Sequence, residues 1–309
     1  MFHRRKEENE NESKLNRISK TSNIVFNLIF IIISLICIPP VVFAFLISIT
    51  SEQSLAANGY QLIPKEFSTS AYLFLFREGK MIVNALGVSL FVTVVGTLLA
   101  ILLTTTMGYV LSRKEYRLNG LLTWIVFIPM IFNGGMLSAY VVNTNLLGLK
   151  DSIWALILPL AVSSFNVIIC KTFFQTTIPD SIVESAKIDG ANQFKIFSRI
   201  IVPISKPILA TIGLFSCFAY WNDWFQSSLY ISNTKLLSLQ ALLNNIQKNI
   251  EYLANNPAAG LTLQQYRNQM PQESVRMAIA ILIIIPIACA YPFFQKYFIS
   301  GLTIGAVKG

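Results

Sequence analysis

Six long apolar runs, at about 23–50, 81–112, 119–142, 152–174, 207–231 and 274–298, are separated by segments that hold most of the charge. In hydrocarbon every backbone amide must be satisfied inside the chain, and a helix needs about 20 apolar residues to cross a core about 30 Å thick. The pattern predicts an all-α, polytopic membrane protein with six transmembrane helices. Composition agrees: 54% hydrophobic and 13% charged residues exclude an ordinary soluble domain. Pro39, Pro40 and Pro129 lie within the runs, where membrane helices tolerate proline.

The net charge of +9 is distributed by side rather than by patch. Sixteen of the 24 Lys and Arg fall in alternate segments: six in 4–20, three in 113–117, five in 171–206, and then Lys296 and Lys308. Basic residues accumulate on the cytoplasmic side, so both termini and the segment 178–207 are expected inside a cell membrane. The same alternation argues against a basic face for nucleic acid. Cys37, Cys170, Cys217 and Cys289 each lie in or at the edge of a different run, with no CxxC, and His3 is the one histidine. Buried, inert thiols fit better than a metal site or a disulfide.

In chain order, residues 1–22 read as a charged cytoplasmic tail. The first run, about 25 apolar residues, exceeds the 7–15 of a cleaved leader and reads as an uncleaved span. Its Pro39-Pro40 pair predicts a kink or a broken helix midway. Ala71–Phe76 is too short to span and is expected at the outer interface. Pro129 and Asn133-Gly134-Gly135 should interrupt the third span, and 232–273 forms a long polar outer loop, helical over Leu236–Leu253.

The longest polar interval on the inner side is 178–207, IPDSIVESAKIDGANQFKIFSRIIVPISKP. Ser181 and Glu184 have the spacing of a capping box, Ile182, Val183, Ala186 and Ile188 supply apolar positions, and Gly190 stands where a left-handed helix end is wanted. A second short helix is expected from Ala191 to about Ile201, ending at Pro203. By itself this describes either a lever between two spans or an ordinary helical loop.

Glu184-Ser185-Ala186, Gly190, nine further residues, Ile200 and Val202-Pro203 resemble the EAA---G---------I-LP signature of ABC importer permeases. Ser185 replaces the first alanine and Val202 the leucine. Asp189-Gly190-Ala191, the Trp221-Asn222-Asp223-Trp224 cluster and the closing YPFFQKYFISGLTIGAVKG are similar to the MalG-like (MetI-like) carbohydrate branch. The resemblance covers roughly 20–309, so 23–309 is expected to be one permease transmembrane domain. It implies a subunit of a binding-protein-dependent oligosaccharide importer, with Glu184, Ser185, Ala186, Asp189, Gly190 and Ala191 as the ATPase-coupling positions. Gly305, Val307, Lys308 and Gly309 would also reach the ATPase. Implied partners are a homologous second permease, a cytoplasmic ATP-binding dimer, an extracytoplasmic solute-binding protein facing the outer loop, the carbohydrate and the bilayer.

No cofactor is expected on this chain, because nothing like G-x-x-x-x-G-K-[ST] occurs; ATP and Mg would sit on the partner, and the chain is expected not to be an enzyme. Polar residues within spans are candidates for the substrate pathway: Asn133, Trp221, Asn222 and Asp223. At about 1.5 Å per residue from Pro207, Asp223 lies about 24 Å in, near the outer boundary, so an interfacial aromatic belt is the competing reading. The rival function is an ion-coupled secondary transporter, which would want intramembrane carboxylates and an inverted repeat. Asp223 is its one candidate, and no repeat stands out.

Overall fold

The computed structural model describes residues 19–77, 79–255 and 273–306. Their regular structure is helical, with one isolated antiparallel bridge among the described residues, Thr50 to Phe67, as the extended pairing. The chain divides into two compact units, Met1–Ala71 with Glu273–Ile281 and Tyr72–Gln272 with Leu282–Gly309.

In the first unit, helix α1 (Lys20–Ser48) starts at Ser19, whose Oγ accepts from the Ser22 amide at 3.1 Å. It continues through Pro39-Pro40 without the broken helix that the pair predicts. Adjacent prolines deprive only the carbonyls of Leu35 and Ile36 of a donor, and their fixed φ is helical. The apolar side chains from Ile24 to Ile38 are exposed. Helix α2 (Glu52–Asn58) is capped by Ser51, whose Oγ accepts from the Ser54 amide at 3.1 Å. The Glu52 carboxylate accepts from the amides of Glu273 at 3.1 Å and Ser274 at 3.3 Å. It thereby satisfies orphan donors at the N-terminus of the long last helix, whose dipole favours an anion there. Helix α3 (Ser70–Arg77) holds the short apolar stretch 71–76 and spans the division between the units.

The second unit is built around helix α4 (Gly79–Ser112). Its buried positions include Ala85, Ser89, Gly96, Ala100, Thr104 and Gly108, a small-residue stripe that lets neighbouring backbones approach. Helices α8 (Ser164–Thr177) and α12 (Lys206–Trp221) pack along it. Gly96 admits the Tyr220 ring, whose hydroxyl donates to the Ile157 carbonyl at 2.7 Å.

The third apolar run continues as helix through Pro129, against the interruption expected there, and breaks at Asn133-Gly134, giving α5 (Asn119–Ile131) and α6 (Gly135–Val141) with a widened π turn over Val142–Leu146. The fourth is divided into α7 (Trp154–Ile157), a tight turn over Leu158–Leu160, and α8, bent by 48°. Of the described helices, Thr21–Ser48 and Gly79–Ser112 have the length and apolarity to cross a membrane as single pieces.

The polar interval holds α9 (Asp180–Ile188), α10 (Gln193–Ile196), a π turn over Phe197–Ile201 and α11 (Val202–Ile204). The second short helix thus runs past Pro203, which offers no N–H to the carbonyl four residues back; the turn before it is widened instead. An 82° bend at Ser205 then leads into α12. Beyond α12 come α13 (Phe225–Tyr230), a turn over Thr234–Leu236, α14 (Leu239–Asn255) and α15 (Glu273–Ala306). Cys170 is buried, but Cys37 and Cys289 are exposed, contrary to the expectation of four buried thiols.

Candidate functional site

Helix α9 begins at Asp180 after Pro179, with no side-chain cap. The expected capping box does not form. With the first turn starting at Asp180, Ser181 already lies inside the helix, and Ser185 Oγ donates back to the Ser181 carbonyl at 2.8 Å. The far end is as expected. Gly190 has φ +76°, its amide donates to the Lys187 carbonyl at 3.0 Å, and the Ala191 amide donates to the Ala186 carbonyl at 3.0 Å. This pair of bonds is the Schellman closure, and Ala186 and Ala191 belong to one apolar cluster as that closure favours.

The helix has two distinct sides. Val183 and Ala186 are buried against Tyr109, Phe174, Ile196 and Ile201. Tyr109 is the hub: its ring lies 6.0 Å from Phe174, edge to face, and 5.2 Å from Phe197. On the other side Glu184, Ser185, Asp189 and Gly190 are exposed, and so are Ile188 at 86% and, from the next helix, Phe194 at 79%. The sequence grouped Ile188 with the apolar face. At 100° per residue it points about 140° away from Val183, a signal already present in the spacing.

Two ion pairs tie α9 to the basic turn that follows α4. Arg113 Nη1 lies 2.8 Å from Asp180, and Lys187 Nζ 2.8 Å from Glu115. Lys187 donates to Glu115 and holds its carboxyl below the ordinary range; Glu115 in turn raises Lys187. The Arg113 guanidinium also sits 5.1 Å from the Tyr109 ring centre. Sequence reading missed this tether, since partners 67 and 72 residues apart leave no local trace.

The polar span residues stand at two separate breaks. Asn133 is exposed between α5 and α6, and its Oδ1 accepts from the Gly135 amide at 2.9 Å. Ser138 Oγ donates to the Gly134 carbonyl and closes the same turn. At the second break Trp221 is 4% exposed, and its Nε1 donates to the Ile283 carbonyl at 3.2 Å. Asn222 is exposed, with Nδ2 donating to the Phe218 carbonyl at 3.0 Å. Asp223 is half-buried and accepts from the Gln226 amide at 3.2 Å, a short-range anchor for α13. Trp224 is exposed, with Lys248 Nζ 5.2 Å from its ring centre. Among the described residues no hydrogen bond links Asn133 with 221–223. Gly305 lies in the last helix, whereas Val307, Lys308 and Gly309, like residues 256–272 of the outer loop, fall outside the described residues.

No family model matches the chain. It is 37% identical over 297 residues to the protein LplC of Bacillus subtilis, covering 96% of this chain and 97% of that one. It is 38% identical over 276 residues to the polygalacturonan/rhamnogalacturonan transport system permease protein YtcP of the same organism, covering 89% and 94%. Among solved structures, a bacterial ABC transporter involved in the import of the acidic polysaccharide alginate matches with a TM-score of 0.75 and 26% identity, over 91% of this chain and 99% of that one. With the EAA-type segment folded as a two-sided helix closed at Gly190, the chain belongs to the permease family of carbohydrate ABC importers.

Proposed function

We propose that this chain is one of two homologous permeases in a bacterial importer of complex oligosaccharides, and that α9 is its seat on a separate ATPase dimer. The observation that carries the reading is the two-sidedness of α9. Its inner face is locked to the ends of α4 and α8 by Val183, Ala186 and two ion pairs, while Glu184, Ser185, Asp189, Gly190 and Ile188 are left facing outward. A force applied to such a face moves the attached helices as one body, which is what rigid-body alternating access requires. ATP and Mg reside on the partner, where hydrolysis takes place. The chain crosses the cell membrane with both termini inside, and Gly305, Val307, Lys308 and Gly309 approach the ATPase. The segment 232–273 faces a solute-binding protein on the outside. The exposed apolar surface of α1 suits the second permease and lipid.

The oligosaccharide reading rests on relatives named for polygalacturonan, rhamnogalacturonan and arabino-oligosaccharides. The sugar passes the two breaks, where Asn133, Asn222 and Asp223 offer polar groups and Trp221 holds the helix end in place. The test is co-purification of the ATPase with the permease pair. Ile188→Asp places a charge in the proposed contact and is expected to release the ATPase and abolish uptake, whereas Ile188→Leu retains both. Undiminished ATPase capture and uptake by Ile188→Asp would overturn the coupling role. Uptake sustained by an ion gradient in ATP-free vesicles would restore the secondary-transporter reading.

A further inference from the structure

We infer that the loop 59–67, between α2 and α3, is an anchor that dips into the outer leaflet of the bilayer, with Leu62 and Ile63 as its lipid-buried tip. Its large apolar side chains are bare: Ile63 is 81% exposed, Leu62 71% and Phe67 69%. Pro64 among them is buried, so the loop is folded rather than loose. Its base is closed by pairing at the end of α1. Thr50 bridges to Phe67, the Ser51 amide donates to the Glu66 carbonyl at 3.0 Å, and the Ser68 amide donates to the Ile49 carbonyl at 2.8 Å. Ser51 Oγ donates to Glu66 Oε2 at 3.0 Å, and Lys65 Nζ donates to Asn58 Oδ1 at 2.8 Å. Exposed apolar side chains grouped on a tied-down loop mark an interaction surface.

Depth decides the partner. The exposed apolar side chains of α1, from Ile24 to Phe45, extend about 32 Å at 1.5 Å per residue, which matches a hydrocarbon core about 30 Å thick. The core therefore ends close to Phe45. The loop does not rise away from that boundary, because the Tyr60 ring packs edge to face on Phe43 with 6.4 Å between ring centres. Tyr60 thus lies beside the last turns of α1, two residues before Leu62, and Phe67 is paired just past the helix end. The Tyr60 hydroxyl donates to Glu273 Oε2 at 2.8 Å, the posture of an interfacial tyrosine with its ring in apolar surroundings and its oxygen toward polar groups. Lys65 and Glu66, both exposed, follow the tip and suit the headgroup level. A soluble receptor would have to reach down to the hydrocarbon edge to cover these side chains, whereas lipid is already there. Burial of Leu62 and Ile63 at the acyl boundary is favourable because apolar surface leaves water. Tyr60 and Glu52 both bind the start of α15, through Glu273 and Ser274, so the anchor would fix the outer ends of α1 and α15 at one depth.

The proposal rests on α1 crossing the membrane with its N-terminus inside, as assigned above. Its test is nitroxide labelling of single cysteines in the assembled importer, reconstituted in vesicles of phosphatidylglycerol and phosphatidylethanolamine. Cys37, Cys217 and Cys289 are replaced by serine, and the buried Cys170 is kept. Collision with oxygen and with a water-soluble nickel chelate reads the depth of each label. Leu62→Cys and Ile63→Cys are expected about 5–10 Å below the phosphates, rich in oxygen contact and shielded from nickel. Phe45→Cys supplies the hydrocarbon reference, and Asn249→Cys, exposed on α14, the aqueous one. Labels at both tip positions as open to nickel as Asn249→Cys overturn the proposal. So do labels shielded from oxygen and nickel alike, which would assign the tip to a protein surface, that of the solute-binding protein or the second permease. Phe45→Cys sorts the failures: open to nickel, it sinks the span itself, whereas in hydrocarbon beside an aqueous tip it sinks the anchor alone. An impermeant maleimide on whole cells reads the side at Gln53→Cys, exposed on α2. No reaction until the cells are permeabilised sinks the orientation and the outer-leaflet assignment together.

Discussion

Replacing Gly190 gives a graded test of the coupling segment, because its conformation and its surroundings pull apart two kinds of penalty. The residue has φ +76°, and a Cβ built there meets nothing within 4 Å. No steric clash is added, so any effect of alanine comes from the left-handed backbone, about 1–2 kcal/mol for an L-residue. The loss is bounded on the other side. If the closure opens, two hydrogen bonds of 3.0 Å are given up, about 0.5–1.5 kcal/mol each, and the freed carbonyls at this exposed end pass to water. A shift of 1–2 kcal/mol corresponds to a five- to thirty-fold fall in the properly closed population. Asparagine tolerates this region and should lose less than alanine; valine, branched at Cβ, should lose most. The assay is the apparent affinity of the purified permease pair for its ATPase, with sugar-stimulated ATP hydrolysis as the second readout. Both should follow the order Gly, Asn, Ala, Val. Indifference to alanine, or asparagine behaving no better than valine, would refute the argument that the left-handed closure sets the position of α9.

Gly96→Ala would bring its Cβ to 2.5 Å from the Tyr220 ring, which is 3% exposed and anchored to the Ile157 carbonyl. Overpacking of about 1–3 kcal/mol is expected, plus about 1 kcal/mol if the hydrogen bond breaks, read as a lowered thermal midpoint; pairing it with Tyr220→Phe should recover little, since the ring remains. Asp151, at φ +55°, accepts from the amides of Asn233 at 2.8 Å and Ser232, and these bonds hold its carboxyl below the ordinary range. A lowered folded-state value means that the contact contributes above the ordinary carboxylate pKa and fades as pH falls through that lower value. Hydrogen exchange at Ser232 and Asn233 should therefore stay protected at neutral pH and lose protection only in acid. Asp151→Asn keeps the backbone conformation and should weaken protection at neutral pH and remove its acid dependence; an unchanged acid profile would show that another group titrates.

The sequence by itself determined the solvent of this protein and two of the places where its helices stop. Apolar run length follows from bilayer thickness and the need to satisfy each backbone amide, and it can be counted along the chain. The interruption at Asn133-Gly134-Gly135 and the left-handed end at Gly190 were legible because glycine and its neighbours act over a few residues. Only the tertiary structure decided that Pro39-Pro40 sits in an unbroken helix, that Ser181 and Glu184 form no capping box, and that Ile188 faces away from the core. It alone brought Arg113 to Asp180 and Lys187 to Glu115, and turned the Trp221 indole onto the Ile283 carbonyl. The physical reason is range. Apolarity and backbone chirality belong to a residue and its neighbours, whereas a buried face or an ion pair exists only after distant helices have packed, and this sequence carries no local mark of which partner each will meet.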